Sequence, residues 1–94
     1  MGRHPCLAIQ PDEFAEGRLE STVVLPLTTQ LTAEHASPLR VRLPRGTCGL
    51  TRDSDVLIDQ ILAWDNALFR RDLGTLPDGL RDDVRVALKE FLDL

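Results

Sequence analysis

Apolar residues in this chain gather in short runs that end abruptly in small polar or acidic side chains. Ser21–Thr28 (Ser-Thr-Val-Val-Leu-Pro-Leu-Thr) is the clearest of these runs. A Val- and Leu-rich stretch of this length predicts a strand buried in a sheet. Pro26 inside it predicts an edge or a bulge, because proline has no amide hydrogen to give to a ladder. Pro5–Gln10 is short and apolar, is bounded by Pro5 and Pro11, and reads as a second buried strand. Leu39-Arg-Val-Arg-Leu43 alternates. That pattern predicts a half-buried strand with Leu39, Val41 and Leu43 toward the core and Arg40 and Arg42 outward. Pro44–Gly49 carries proline and two glycines and predicts a turn. Asp53–Asp55 leads into a buried strand at Val56–Ile58, with Leu62–Asp65 extending it and Phe69–Leu73 as a last short strand. The polar stretches Pro11–Leu19 and Leu31–Ser37 read as loops or single helical turns.

Beyond Gly74 the period changes. Leu80, Val84, Ala87, Leu88, Phe91 and Leu92 recur at helical spacing and form one stripe expected to pack on the sheet. Thr75 stands as N-cap, with Pro77 in the first turn and Asp78 three residues after the cap. Asp82 and Asp83 lie near the positive end of the helix dipole and Lys89 lies later. Several short strands followed by one helix predict a mainly β fold, a small antiparallel barrel-like sheet with a C-terminal helix packed on it. The 94 residues suffice for one domain, expected to span 1–94.

Composition narrows the function more than the fold. A formal net charge of −4 argues against a nucleic-acid coat, which would be basic throughout. It leaves room for a local basic patch, since Arg40, Arg42, Arg45 and Arg52 are close in sequence and Arg70-Arg71 follow. Trp64 and three Phe, with no Tyr, supply few platforms for base stacking. Two cysteines, Cys6 and Cys48, are too few for a disulfide framework and imply free thiols in a reducing compartment. Met1-Gly-Arg-His-Pro5 lacks the apolar continuation of a signal peptide, and Val23–Leu27 is too short to span a bilayer. The expected location is cytoplasmic, with no membrane partner.

The candidate chemistry lies where two apolar runs meet water. One ends at Thr28, Thr29 and Gln30, the other at Asp59 and Gln60. Delivered to one rim, they would combine hydroxyl, carboxylate and amide groups on a rigid scaffold. The same residues also read as turn-satisfying groups at strand ends. A zinc site from His4, Cys6 and Cys48 lacks a structural spacing. A hydrolase built on Ser54, His35 and Asp55 lacks a nucleophile elbow. No metal or cofactor is expected.

A series of landmarks sharpens this reading. Gly2-Arg-His-Pro5 precedes a strand and Gln10; Val23-Val-Leu-Pro-Leu-Thr-Thr-Gln30 follows; Gly49-Leu50 and Asp53-Ser54 precede Val56-Leu-Ile-Asp-Gln60; Asp65 and Leu73-Gly74 come before the helix. In that order and spacing, from residue 2 to residue 94, the chain resembles the MazF/PemK family of toxins. These are the endoribonuclease half of bacterial toxin–antitoxin pairs. The resemblance implies a small SH3-like barrel of the CcdB/MazF type, a homodimer, and metal-independent, sequence-specific cleavage of single-stranded mRNA. It also implies a cognate antitoxin whose tail blocks the RNA site. Carried over residue by residue, it implies catalysis by Thr28 and by the residue before Pro5. The family has arginine there; this chain has His4, with Arg3 one position earlier. It further implies Asp59 as a catalytic or orienting carboxylate, and Thr29, Gln30 and Gln60 as RNA contacts. The strand and loop that precede this turn in the family have no counterpart in the sequence. An upstream start, a decayed remnant, or a dimer partner covering the bare edge would each account for that. Two other functions stay open on the sequence: a catalytically weak antitoxin-binding remnant, and a CcdB-like gyrase poison, which the Thr-Thr-Gln and Asp-Gln strings fit less well.

Overall fold

The computed structural model describes residues 5–9, 20–32, 39–66 and 74–94. These form five strands, β1 (Cys6–Ala8), β2 (Ser21–Thr28), β3 (Arg40–Leu43), β4 (Ser54–Leu57) and β5 (Leu62–Asp65), and a helix α1 (Asp78–Leu92). All pairings are antiparallel. The expected strand at Phe69–Leu73 and the loop at Pro11–Leu19 lie outside the described residues.

β2 organises the sheet. Along one edge it pairs with β1, Cys6 opposite Pro26 and Ala8 opposite Val24. Along the other edge its first half pairs with β5 and its last two residues pair with β4, which in turn pairs with β3. The chain between β4 and β5 leaves the ladder. Leu27 pairs with Val56 and Val24 with Leu62, so three steps along β2 are matched by six along the partner. The surplus is a 3₁₀ turn at Ile58–Gln60. Pro26 sits level with this excursion. The Leu27 amide donates to the Pro5 carbonyl on the β1 edge at 3.3 Å. Amides alternate edges along a strand, so the amide that Pro26 lacks would have pointed toward the side where the partner has withdrawn. β2 itself runs through Pro26 in unbroken register with β1, so the irregularity expected there lies on the partner side instead, as the 3₁₀ turn. Among the described residues the ladder stays open and does not close into a barrel.

Serving two sheets, β2 is buried on both faces: Val24 and Leu25 are both fully inaccessible. Leu25, Leu27, Leu43, Leu50, Val56, Ile58, Leu76 and Val84 form the core, with Leu80, Ala87 and Leu88 packed against it from the helix. The helix lies over β3 and the 3₁₀ turn. Its stripe is as expected over the first turns, but Phe91 and Leu92 at its end are exposed. The cap differs from expectation. Pro77 is the N-cap, no side chain caps the helix, and Thr75 precedes it outside any helix or strand. Proline pre-sets the backbone for a helix start, and Asp78 supplies the favourable first-turn charge. The β3–β4 connection turns through Gly46 at φ 94° and Gly49 at φ 74°, a left-handed region where a side chain would be strained. Partial burial pushes the Cys6 thiol up, because desolvation disfavours the thiolate. No helix among the described residues is long and apolar enough to cross a membrane.

Candidate functional site

Thr28 closes β2 at a half-buried position, and the register sets its neighbours. It lies opposite Asp55 on β4, and Asp55 lies opposite Arg42 on β3. Directly opposed residues project to the same face of an antiparallel pair. Thr28, Asp55 and Arg42 therefore form one cross-strand row. The adjacent row, Leu27–Val56–Val41, faces the core instead.

Asp55 is a carboxylate in an apolar run, and it is 1% exposed. Burying a charge there is tolerable only with full pairing. Arg42 Nε donates to Oδ1 at 2.5 Å; Arg40 Nη1 and the Thr32 amide both donate to Oδ2, at 3.4 and 3.3 Å. Burial alone would raise its pKa. The donated bonds from Arg42, Thr32 and Arg40, with the Arg42 charge, outweigh that and hold the carboxyl below its ordinary value. The two guanidinium groups also hold the chain that follows Thr28. Arg40 Nη1 donates to the Gln30 carbonyl at 2.9 Å and Arg42 Nη2 to the Thr32 carbonyl at 2.6 Å. The Gln30 amide in turn donates to Thr28 Oγ1 at 3.1 Å. A hydroxyl that accepts one bond still has its own hydrogen to donate. Arg40 and Arg42 do alternate away from the core, but they are not a solvated face. Their side chains are 27% and 31% exposed and are committed to Asp55 and to the 30–32 backbone.

Asp59 and Gln60 are placed differently. The strand that precedes them ends at Leu57, and both stand exposed on the 3₁₀ turn. Because β2 and β4 are antiparallel, the residues following each strand leave at opposite ends. Asp59 is level with the middle of β2, about 7–10 Å from Thr28 along the strand direction at the usual rise. The single rim expected for Thr28 and Asp59 is thus corrected within one chain by the strand direction. Thr29 and Gln30 do stand beside Thr28, both exposed.

Arg3 and His4 lie outside the described residues, and with them the expected basic opening turn. Pro5 is described, and its carbonyl is bonded to the amide of Leu27, the residue before Thr28. The β3–β4 connection adds an open cleft of about 470 Å³ lined by Arg45, Thr51, Arg52 and Asp53, near the Thr28 end of the sheet. Ser54 is buried and donates to the Arg52 carbonyl, and Asp55 is committed to arginines, so neither joins a hydrolytic triad. Among the described residues no cluster of three or more His, Cys, Asp or Glu side chains converges to hold a metal. The residue that sequence reasoning missed is Asp55. Its signal was present: an acid inside a buried run, close to a strand that presents two arginines on one face.

Comparison with known proteins adds to this geometry. A family model described as PemK-like, MazF-like toxin of type II toxin–antitoxin system matches residues 1–92. The endoribonuclease MazF2 of Mycobacterium bovis and the endoribonuclease MazF6 of Mycobacterium tuberculosis are each 36% identical to this chain over 92 residues, covering 98% of it and 80% of their own length. The solved structure of the Mycobacterium tuberculosis toxin MazF-mt6 superposes with a TM-score of 0.84 at 21% identity, covering 97% of this chain and 87% of that one. A MazE–MazF structure from Deinococcus radiodurans superposes with a TM-score of 0.80 at 24% identity, covering 98% and 84%. At such identities the structural likenesses establish the shared fold.

Proposed function

We propose a function for this chain from one premise: it belongs to the PemK-like, MazF-like toxin family of type II toxin–antitoxin systems. The chain is a toxin that cleaves single-stranded mRNA at specific sequences without a metal. In such a cleavage the ribose 2′-oxygen attacks the adjacent phosphorus and the bond to the 5′-oxygen breaks. The products are a 2′,3′-cyclic phosphate and a 5′-hydroxyl. A base takes the 2′ proton and an acid protonates the departing oxygen. Charge grows on the non-bridging phosphoryl oxygens and needs fixed donors.

Thr28 is the donor in this reading. The observation that carries it is the anchored hydroxyl: Oγ1 accepts the Gln30 amide and is left with a hydrogen to give to a phosphoryl oxygen. Arg3 supplies positive charge and His4 transfers protons near neutral pH. The support for their participation is that Pro5, the covalent neighbour of His4, is bonded to Leu27, the covalent neighbour of Thr28. Thr29 and Gln30 contact the RNA beside the scissile phosphate. Asp59 and Gln60 meet it farther along, with Asp59 orienting a basic partner. A single domain over 1–94, a homodimer, a cognate antitoxin that covers this surface and a cytoplasmic location complete the proposal. The structural relatives that include MazE–MazF complexes support the antitoxin.

The test is cleavage of single-stranded RNA in EDTA, with a second substrate carrying a 2′-deoxy residue at the cut site. Cutting of the first alone, with a cyclic phosphate product and loss on Thr28→Ala, is the expected result. Cutting that requires added metal would refute the mechanism. His4 in the place of arginine favours one other reading, a module that binds an antitoxin without cutting. An uncut substrate together with tight binding of an antitoxin tail peptide would establish that reading instead.

A further inference from the structure

We infer that Asp55 is a positioning residue for the RNA site: through Arg40, Arg42 and the Thr32 amide it holds the 30–32 segment, and through Gln30 it fixes the Thr28 hydroxyl. The inference rests on the reading of Thr28 as the phosphate donor, and deepens it by identifying what aims that donor.

The bonds form a closed circuit. Thr28 Oγ1 is held by the Gln30 amide at 3.1 Å. The Gln30 carbonyl is held by Arg40, which also reaches Asp55. Two residues on, the Thr32 amide bonds Asp55 directly, and the Thr32 carbonyl is held by Arg42, whose Nε bonds the other oxygen of Asp55. Both peptide groups that fix the path of the segment thus lead back to one carboxylate. The ladder sets the face from which Thr28 projects, and the Gln30 amide restrains where on that face its hydroxyl lies. Thr29, Gln30 and Leu31 are exposed and bring no core packing of their own.

The chemistry of the hub explains why an acid is required. Three donors from two segments, β3 and the 30–32 stretch, converge on it, and an ionised carboxylate accepts from all of them with two oxygens. An asparagine would turn an amide NH₂ toward two guanidinium groups. The same burial that makes the hub costly makes it rigid, since a carboxylate 1% exposed has no water to exchange its partners with. Precise aim matters for a phosphoryl donor, because a misplacement of about 1 Å costs on the order of 10²-fold in rate.

The experiment compares Asp55→Asn and Arg42→Lys with the unaltered chain, measuring single-turnover RNA cleavage, substrate affinity, thermal unfolding and amide hydrogen exchange. Arg42→Lys keeps a positive charge for Asp55 but replaces the fork, whose two nitrogens span Asp55 and the Thr32 carbonyl, with a single nitrogen. It serves as the second variant if Asp55→Asn fails to fold. The expected result, in whichever variant unfolds cooperatively, is faster exchange at the Thr32 and Gln30 amides. The cleavage rate falls about 10²-fold while RNA affinity stays within about threefold. A folded variant that keeps the rate, or loses it only in proportion to its unfolded fraction, overturns the inference. So does unchanged Thr32 exchange in folded Asp55→Asn. Failure of the underlying reading looks different, because the unaltered chain would then leave RNA uncut, or Thr28→Ala would cut it normally.

Discussion

Two acids bracket the apolar run Val56–Ile58, four positions apart, and the fold treats them in opposite ways. Asp55 stands inside the ladder, opposite Thr28, buried and bonded by three donors. Asp59 stands on a 3₁₀ turn that has left the ladder, exposed to solvent. In sequence, Asp59 has the better claim to a site, since it ends a run and precedes Gln60. In the fold, Asp55 is the acid that reaches the Thr28 end. The difference shows that a polar residue at the end of a strand is placed by strand direction and register, not by the hydrophobicity that precedes it.

The largest expected effect is at the end where the hub lies. Thr28→Ala removes a preorganised donor, and the cleavage rate should fall about 10²–10³-fold with the fold intact, as judged by an unchanged melt. Next comes the hub. Asp55→Ala leaves two partly buried guanidinium groups and the Thr32 amide without their acceptor and should cost about 2–3 kcal/mol of stability in a denaturant titration. Acid separates the two carboxylates further. The Asp55 carboxyl is held below its ordinary value in the folded chain, so the folded state binds fewer protons than the unfolded state in acid. Its contribution is complete above the ordinary carboxylate value of about 4 and is lost as pH falls through the depressed folded value. Asp55→Asn should therefore flatten the acid limb of a stability–pH curve. The smallest effect concerns the turn that sets the register of Asp55 against Arg42. Gly46 has φ 94° with open space around it, so Gly46→Ala should cost about 1 kcal/mol in unfolding midpoint through backbone strain alone, with the β3–β4 amide exchange pattern retained.

The elements were legible to different depths. The strand at Ser21–Thr28 was plain from its continuous Val- and Leu-rich run, and the Leu39–Leu43 segment from its period of two. The helix was plain from its stripe, though its start moved from Thr75 to Pro77, where no side chain caps it and the fixed proline φ suits the entry. Pro26 announced a break in the ladder, but the break is a 3₁₀ turn on the partner side and β2 stays regular. The excursion at Ile58–Gln60 was hidden because apolar residues resume at Ile61 and Leu62 directly after Asp59 and Gln60, so the stretch reads as one strand with an extension. Of the site, Thr28, Thr29 and Gln30 were found at one exposed end as expected. Asp55 was passed over because its meaning depends on partners at 30, 32, 40 and 42, which no local pattern brings together.

The most direct test of the account sets Thr28→Ala beside Asp59→Asn in single-turnover cleavage of one RNA in EDTA. Loss of about 10²-fold or more for Thr28→Ala, with Asp59→Asn within about tenfold of the unaltered chain, is the predicted result. Equal losses, or a loss confined to Asp59→Asn, would move the reacting phosphate to the 3₁₀ turn and contradict the account.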